Sequence, residues 1–376
     1  MDYAKRLENL RAAMLEQEID SIIYGTGANF QYFTGLLVPW RRMDEPTKPS
    51  CFLVVSGEGE PLVILDSESA HLAETSPFET VILESLDKIS GIAKARLSGR
   101  TIGANNGAME YISEIVRATI PQASIVSADE LGEKMRVIKE PEETALLRKA
   151  AELAGNTLEK VVPFIKPGIT RLELQEMISS EGQALGADAV SFSPAALFVK
   201  SGTKPSENPF TYPAEEGLVP GASIAFDYGF LVDGYCSDFG RSFYCGPAPE
   251  DFVKAYSALQ TAQTELVSRL EPWKTNLGEM FGMLESIMDQ LGYGDRLRAR
   301  LTDGTLGHQI GVDVHENPWI RPTTNAVLRP GMVMAIEPKV WLPGEYYLRV
   351  EDIVLITENG AEFLTSFDRA LFELAL

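Results

Sequence analysis

The chain has 376 residues, 45% of them hydrophobic and 23% charged, a balance typical of folded globular proteins and a length beyond one small core. Its 54 acidic against 33 basic residues give a net charge of -21, the wrong sign for nucleic acid or an anionic membrane surface as partner. Three cysteines without metal-type spacing exclude a disulfide framework, and no apolar run approaches the roughly 18 residues of a membrane span, so a cytoplasmic protein is expected.

The first segment, MDYAKRLENLRAAMLEQEID, carries Leu7, Leu10 and Met14 at helical spacing among charges, which predicts a helix and no signal peptide. After it DSIIYG, SCFLVVS, PLVILD, TVILES and RTIGAN are apolar runs bounded by Gly, Pro or Asp, with a helix such as Ser113 to Thr119 between strands. That alternation predicts an α/β sheet over residues 1–134. Gly25-Thr26-Gly27 reads as a glycine turn from strand to helix, because Phe30 stands where a dinucleotide loop needs its third glycine. A second domain, 135–376, opens on a long helix with Pro141 near its start. Another helix follows from Thr170, whose hydroxyl can cap it together with Glu173. Further strands and a helical pair across residues 250–292 make this half α+β, with helices on a largely antiparallel sheet.

Chemistry concentrates between residues 227 and 351. Asp227 and Asp238 flank an Asp233-Gly234 turn signal in AFDYGFLVDGYCSDFGRSF, and a hairpin centred near Val232 and Asp233 would set the two carboxylates opposite each other. Glu337 and Glu351 repeat the arrangement around Pro343-Gly344, with Gly344 at their midpoint. A lone acidic pair on a hairpin ordinarily lies on a solvated face. Here both pairs sit in apolar strand context, as in Ala225-Phe226-Asp227 and Ala335-Ile336-Glu337, where an unpaired charge is costly. Four carboxylates in one cavity repel unless cations neutralise them, and His308 offers an imidazole beside them. A two-metal hydrolytic site is therefore the better reading. Oxygen-rich ligation with one imidazole suits two divalent ions drawn from Mn, Co, Zn and Fe, and the ligand types select no further among them; manganese is taken as the working choice. His308 and His315 are seven residues apart and would face opposite sides of a regular strand unless the chain bends around Gly311. Cys236 is expected to pack as a small apolar residue near Asp238, and His71 to lie on the surface.

The Asp pair in FDYG and CSDFGRSF, followed by GHQIGVDVHENP, AIEP and RVED, resembles the pita-bread metallopeptidases: methionine aminopeptidase, aminopeptidase P, prolidase and the metal-free creatinase. The resemblance covers about residues 137 to 376, and ANFQYFTGL upstream resembles a piece of the creatinase-type N-terminal domain. It implies a creatinase-like α/β domain (1–134) followed by an α+β pita-bread catalytic domain (135–376). It implies metal ligation by Asp227, Asp238, His308, Glu337 and Glu351, with Asp238 and Glu351 bridging. A water between the ions would be the nucleophile, His315 would stabilise the oxyanion, Glu337 would shuttle a proton, and Arg349 would pair with an acidic ligand. The implied activity is that of an Xaa-Pro dipeptidase or aminopeptidase acting on small peptides. The implied assembly is a homodimer in which Arg41 and Arg42 read a substrate carboxylate in the partner's site; an exposed basic loop is the competing reading. Phe210 and Tyr212 are expected to wall the substrate pocket.

Three positions depart from the family pattern. Phe210 and Gly304 stand where prolidase-like members often carry histidines, and Gln309 replaces the second glycine of GHGxG. An altered shell around an intact cage favours, as alternatives, hydrolysis or lysis of a small non-peptide metabolite, or a catalytically silent binding homologue. The complete five-ligand set argues against the last of these.

Overall fold

The computed structural model describes residues 1–42, 47–85, 88–202, 212–368 and 372–374. Two compact units divide the chain, Met1–Arg136 and Val137–Leu376.

The first unit is built on a six-stranded mixed sheet. Its order is Glu79–Ile82, Leu62–Leu65, Phe52–Ser56, Ser21–Gly25, Thr101–Ala104 and Ser124–Ser127. The three strands from Leu62–Leu65 to Ser21–Gly25 are buried at every residue. That burial is why they read as unbroken apolar runs and not as alternating ones. The last strand, Ser124–Ser127, is a half-exposed edge with only Ile125 and Val126 apolar, too weak a pattern to stand out in the sequence. Helix Met109–Thr119 extends the expected helical stretch by one turn, and Ala28–Thr34 follows the Gly25–Gly27 turn.

The second unit opens on helices Pro141–Val161 and Arg171–Ala184, each started by a capping box, Glu140 with Glu143 and Thr170 with Glu173. These two helices pack on a four-stranded sheet of Phe372–Leu374, Ser242–Cys245, Ala222–Asp227 and Ala195–Lys200, around a core that includes Leu158, Ile178, Ile224 and Phe243. Helices Glu250–Ser268 and Leu277–Gln290 pack in the same way on a five-stranded sheet. Its order is Glu316–Ile320, Gly307–Gln309, Val333–Ile336, Asp352–Thr357 and Gly360–Phe363. A short helix, Gly294–Arg300, was not evident from the sequence. Gly240 and Glu351 form an isolated bridge that joins a strand path of one sheet to one of the other.

Hairpin registers decide where the acids point. In the first hairpin Val232 pairs with Tyr235 across a two-residue turn, with φ of 48° at Asp233 and 79° at Gly234, the left-handed pair a tight hairpin turn demands. The centre lies one position beyond the expected one. Ala225 faces Ser242 and Tyr228 faces Phe239, which sets Asp227 against Gly240 and not against Asp238. Asp238 remains on the same face as a diagonal neighbour, because the slip in pairing is two residues, a whole period of the pleat. In the second hairpin Leu342 faces Tyr346 and Lys339 faces Arg349, while farther along Ile336 faces Asp352. Glu337 and Glu351 fall between these ladders in the same register, opposite each other.

Candidate metal centre

Backbone pairing places the acids in a row. Glu351 exchanges hydrogen bonds of 2.9 and 3.3 Å with Gly240, and the Glu337 amide donates to Leu306 at 3.0 Å. The row therefore runs Asp227, Gly240, Glu351, Glu337 across two sheets, with Asp238 diagonal to Asp227. Gly240 is small for a reason: a Cβ there would meet Arg349 Cδ at 2.5 Å. His308 faces Ala335 across its ladder, two residues from Glu337, so its ring shares that face. His308 Nδ1 lies 3.0 Å from the Gln309 carbonyl, which can only accept, so Nδ1 carries the proton and Nε2 presents its lone pair 3.6 Å from Asp238 Oδ2.

Potential ligand atoms of Asp227, Asp238 and Glu351 lie within 4.8 Å of one another, and so do those of His308, Glu337 and Glu351, and of Asp238, His308 and His315. The first two triads share Glu351. His315 comes to the same side as His308, with ring centroids 4.5 Å apart and planes at 83°, and it stacks on Trp319 at 5.2 Å. The chain leaves its strand after Gln309, turns with the Gly311 amide donating to Asp313 at 3.0 Å, and re-enters a strand at Glu316. This bend overcomes the opposite-face placement of a regular strand.

The electrostatics are those of crowded acids. Burial pushes the Asp238 carboxyl well above its usual range, and the charges of Asp227 and Glu337 add to it. Burial does the same to Glu351, with Asp238 as the next cause. For Glu337 burial also acts upward, but Lys339 and Arg349 outweigh it and hold the carboxyl at about 2. Burial and the nearby His308 lower His315, so its ring is neutral at physiological pH. Asp238 Oδ1 and both carboxylate oxygens of Glu351 are buried without a hydrogen-bond partner. Buried carboxyl oxygens without a hydrogen bond, in the overlap of two triads, fit divalent cations.

Other side chains complete the surroundings. Arg349 is ion-paired with Asp227, and it reaches Glu337 at 3.0 Å and Glu351 at 3.3 Å. Lys339, which sequence reasoning missed, is ion-paired with Glu337. A period-two reading outward from Glu337 would have found it on the same strand face. Trp319 was also missed; it stands four residues beyond His315. Gln309 accepts from buried Lys139 at 3.1 Å, and Lys139 pairs with Glu316 at 3.0 Å, so the residue that replaces a glycine has its own polar partner. Among the proposed substrate contacts, the Tyr212 hydroxyl donates to the Gly217 carbonyl at 2.9 Å, and its ring meets Phe198 edge-on at 5.5 Å. Arg41 lies over the Trp40 ring at 4.0 Å. Phe210 lies outside the described residues. Cys236 is buried, with Sγ 3.7 Å from the Val312 carbonyl, and His71 is exposed.

The model of metallopeptidase family M24 matches residues 145–358, more than half of the chain. The chain belongs to metallopeptidase family M24. The model of the creatinase/prolidase N-terminal domain matches residues 6–138. A putative dipeptidase of Bacillus subtilis, YkvY, is 28% identical over 374 residues, covering 97% of this chain and 99% of that protein. A recombinant prolidase from Thermococcus sibiricus is 26% identical with a TM-score of 0.85, covering 100% of both chains. An Xaa-Pro dipeptidase from Bacillus anthracis is 24% identical with a TM-score of 0.86 and supports the fold, covering 99% of this chain and 100% of that one. The fold is thus a creatinase-like N-terminal domain followed by an M24 pita-bread domain, and the protein is a metal-dependent hydrolase of the peptidase class. M24 peptidases use a dinuclear divalent-metal site, and the acidic and histidine cluster of this chain is compatible with one. Among the described residues no helix is long and apolar enough to cross a membrane.

Proposed function

We propose that this M24 member is an Xaa-Pro dipeptidase or aminopeptidase, holding two divalent ions, manganese for preference, through Asp227, Asp238, His308, Glu337 and Glu351. The observation that carries the reading is the pair of ligand triads sharing Glu351, with its carboxylate oxygens buried and without a hydrogen bond. When bound, such ions polarise the scissile carbonyl and make water acidic enough to attack at neutral pH. His315, neutral and anchored by Trp319, donates a hydrogen bond to the oxygen on which negative charge develops. Arg349 holds Asp227 and Glu337 in place and, with Lys339, favours the ionised form of Glu337. Glu337, whose carboxyl is held low, carries a proton only in passing on its way to the leaving nitrogen. Phe210 and Tyr212 are assigned to the pocket wall. Arg41, on the loop that would reach the partner's site in a homodimer, is assigned to the substrate carboxylate.

A second reading, action on a small non-peptide metabolite, is favoured by Gly304. Its φ is +69°, and a Cβ there would meet Pro322 Cγ at 2.7 Å, so the position leaves no room for an outer histidine. Metal analysis of the purified protein, followed by Ala-Pro, Gly-Pro and longer Xaa-Pro peptides, separates the two. Two ions per chain with turnover of proline peptides is the expected result; bound ions with no cleavage of any peptide would move the assignment to the second reading.

A further inference from the structure

We infer that Lys339 reads the α-carboxylate of the substrate and thereby gauges its length, making this site selective for dipeptides. The inference rests on the peptidase reading and assigns it a substrate class. Lys339 begins the strand Lys339–Leu342, faces Arg349 across the hairpin and shares the face that carries Glu337. It is 7% exposed. Its ammonium contacts Glu337 Oε2, the same oxygen that Arg349 Nη2 reaches at 3.0 Å. Glu337 is therefore held by a planar cation as well as by Lys339, and the pairing with Glu337 engages only part of the ammonium. An ammonium has three donors, and among the described residues the acceptor it meets is Glu337 alone. A buried cation with donors to spare calls for a further anion.

Charge counting points the same way. Asp227, Asp238, Glu337 and Glu351 carry four negative charges, which two divalent ions offset, leaving Arg349 and Lys339 as surplus positive charge. A dipeptide places its carboxylate on the carbon next to the leaving nitrogen. An amidated dipeptide, or a longer peptide, presents a neutral carbonyl there.

The test uses the manganese-loaded full chain, wild type, Lys339→Met and Lys339→Arg, with Ala-Pro and its C-terminal amide. Wild type is expected to prefer the acid over the amide by about 30-fold or more in kcat/KM, the scale of one partner of a buried charge pair. Lys339→Met should lose that preference, the acid falling in kcat/KM by more than the amide, and Lys339→Arg should restore part of it. Calorimetry should show free proline binding to wild type more tightly than prolinamide, and the gap should close in Lys339→Met. Retention of the preference in Lys339→Met, or equal use of both substrates by wild type, would overturn the assignment while leaving the peptidase reading intact. Parallel loss of metal and of both activities would assign Lys339 to Glu337 alone and overturn it as well. Should Lys339→Met fail to fold, the wild-type ratio and Lys339→Arg still decide. No turnover of either substrate by the wild type, with no proline binding, would remove the peptidase reading and this inference together.

Discussion

Asp238→Asn should change stability and metal affinity in opposite directions. Asp238 is 3% exposed, its Oδ1 has no hydrogen-bond partner, and its near neighbour is His308 at 3.6 Å. Burial, with Asp227 and Glu337 behind it, raises its carboxyl well above the unfolded value. For a raised carboxyl the contributed stability is present below the unfolded value, about 3.9, and is lost as pH rises toward the folded one. Near neutral pH, where the unfolded carboxyl is ionised, keeping it charged or protonating it in the fold therefore burdens the metal-free protein. Removing its charge at constant shape should recover about 1–3 kcal/mol, the desolvation cost of a buried group without a partner. In a unit of this size each kcal/mol moves Tm by about 2–4 °C, so the metal-free variant should melt several degrees higher. With metal present the sign reverses, because a neutral amide replaces an anion at the overlap of the triads. Affinity should fall by more than about 100-fold, the upper end for changes one shell farther out. Scanning calorimetry near neutral pH, with chelator and then with excess manganese, measures both effects, and metal analysis gives the stoichiometry. A variant that keeps two ions, or whose metal-free form melts several degrees below the parent, would refute the cation-cage argument.

His315→Ala should retain both ions and lose rate by about 10² to 10³, the scale of one oxyanion donor; metal content falling with activity would show that His315 is a ligand. Because Asp238 and Glu351 are both raised, divalent-ion binding at neutral pH should expel protons, seen as a binding heat that varies with the buffer's ionisation enthalpy. By the same sign, metal-free stability should decline as pH rises from the ordinary carboxylate range toward neutrality, and saturating metal should flatten that decline; identical pH profiles would contradict the assigned shifts. Gly304→His should lower stability by about 1–3 kcal/mol with no gain in rate, because the left-handed backbone and Pro322 oppose any side chain there. Chemical denaturation and peptide assays check both halves of that statement.

Features whose cause lies within a few residues were legible in the chain itself. The Thr170 and Glu173 cap, Pro141 at a helix start and the Asp233-Gly234 turn are local dihedral and hydrogen-bond preferences, and each is realised. The two-residue period of a strand determined that Asp227 and Asp238, and likewise Glu337 and Glu351, share a face, even though the first pair is diagonal and not opposed. Weak local signals went unread: the edge strand Ser124–Ser127 and the helix Gly294–Arg300 carry too few apolar residues to show a period. The site as a whole was decided by tertiary structure. The Gly240–Glu351 bridge brings one acidic hairpin beside the other, and the bend at Gly311 sets His315 against His308. Lys339 and Arg349 converge on one oxygen of Glu337. Chain identity specifies which groups can bind a cation, but their convergence depends on pairing between strands far apart in sequence, and that pairing is selected by how the two helix-backed sheets pack.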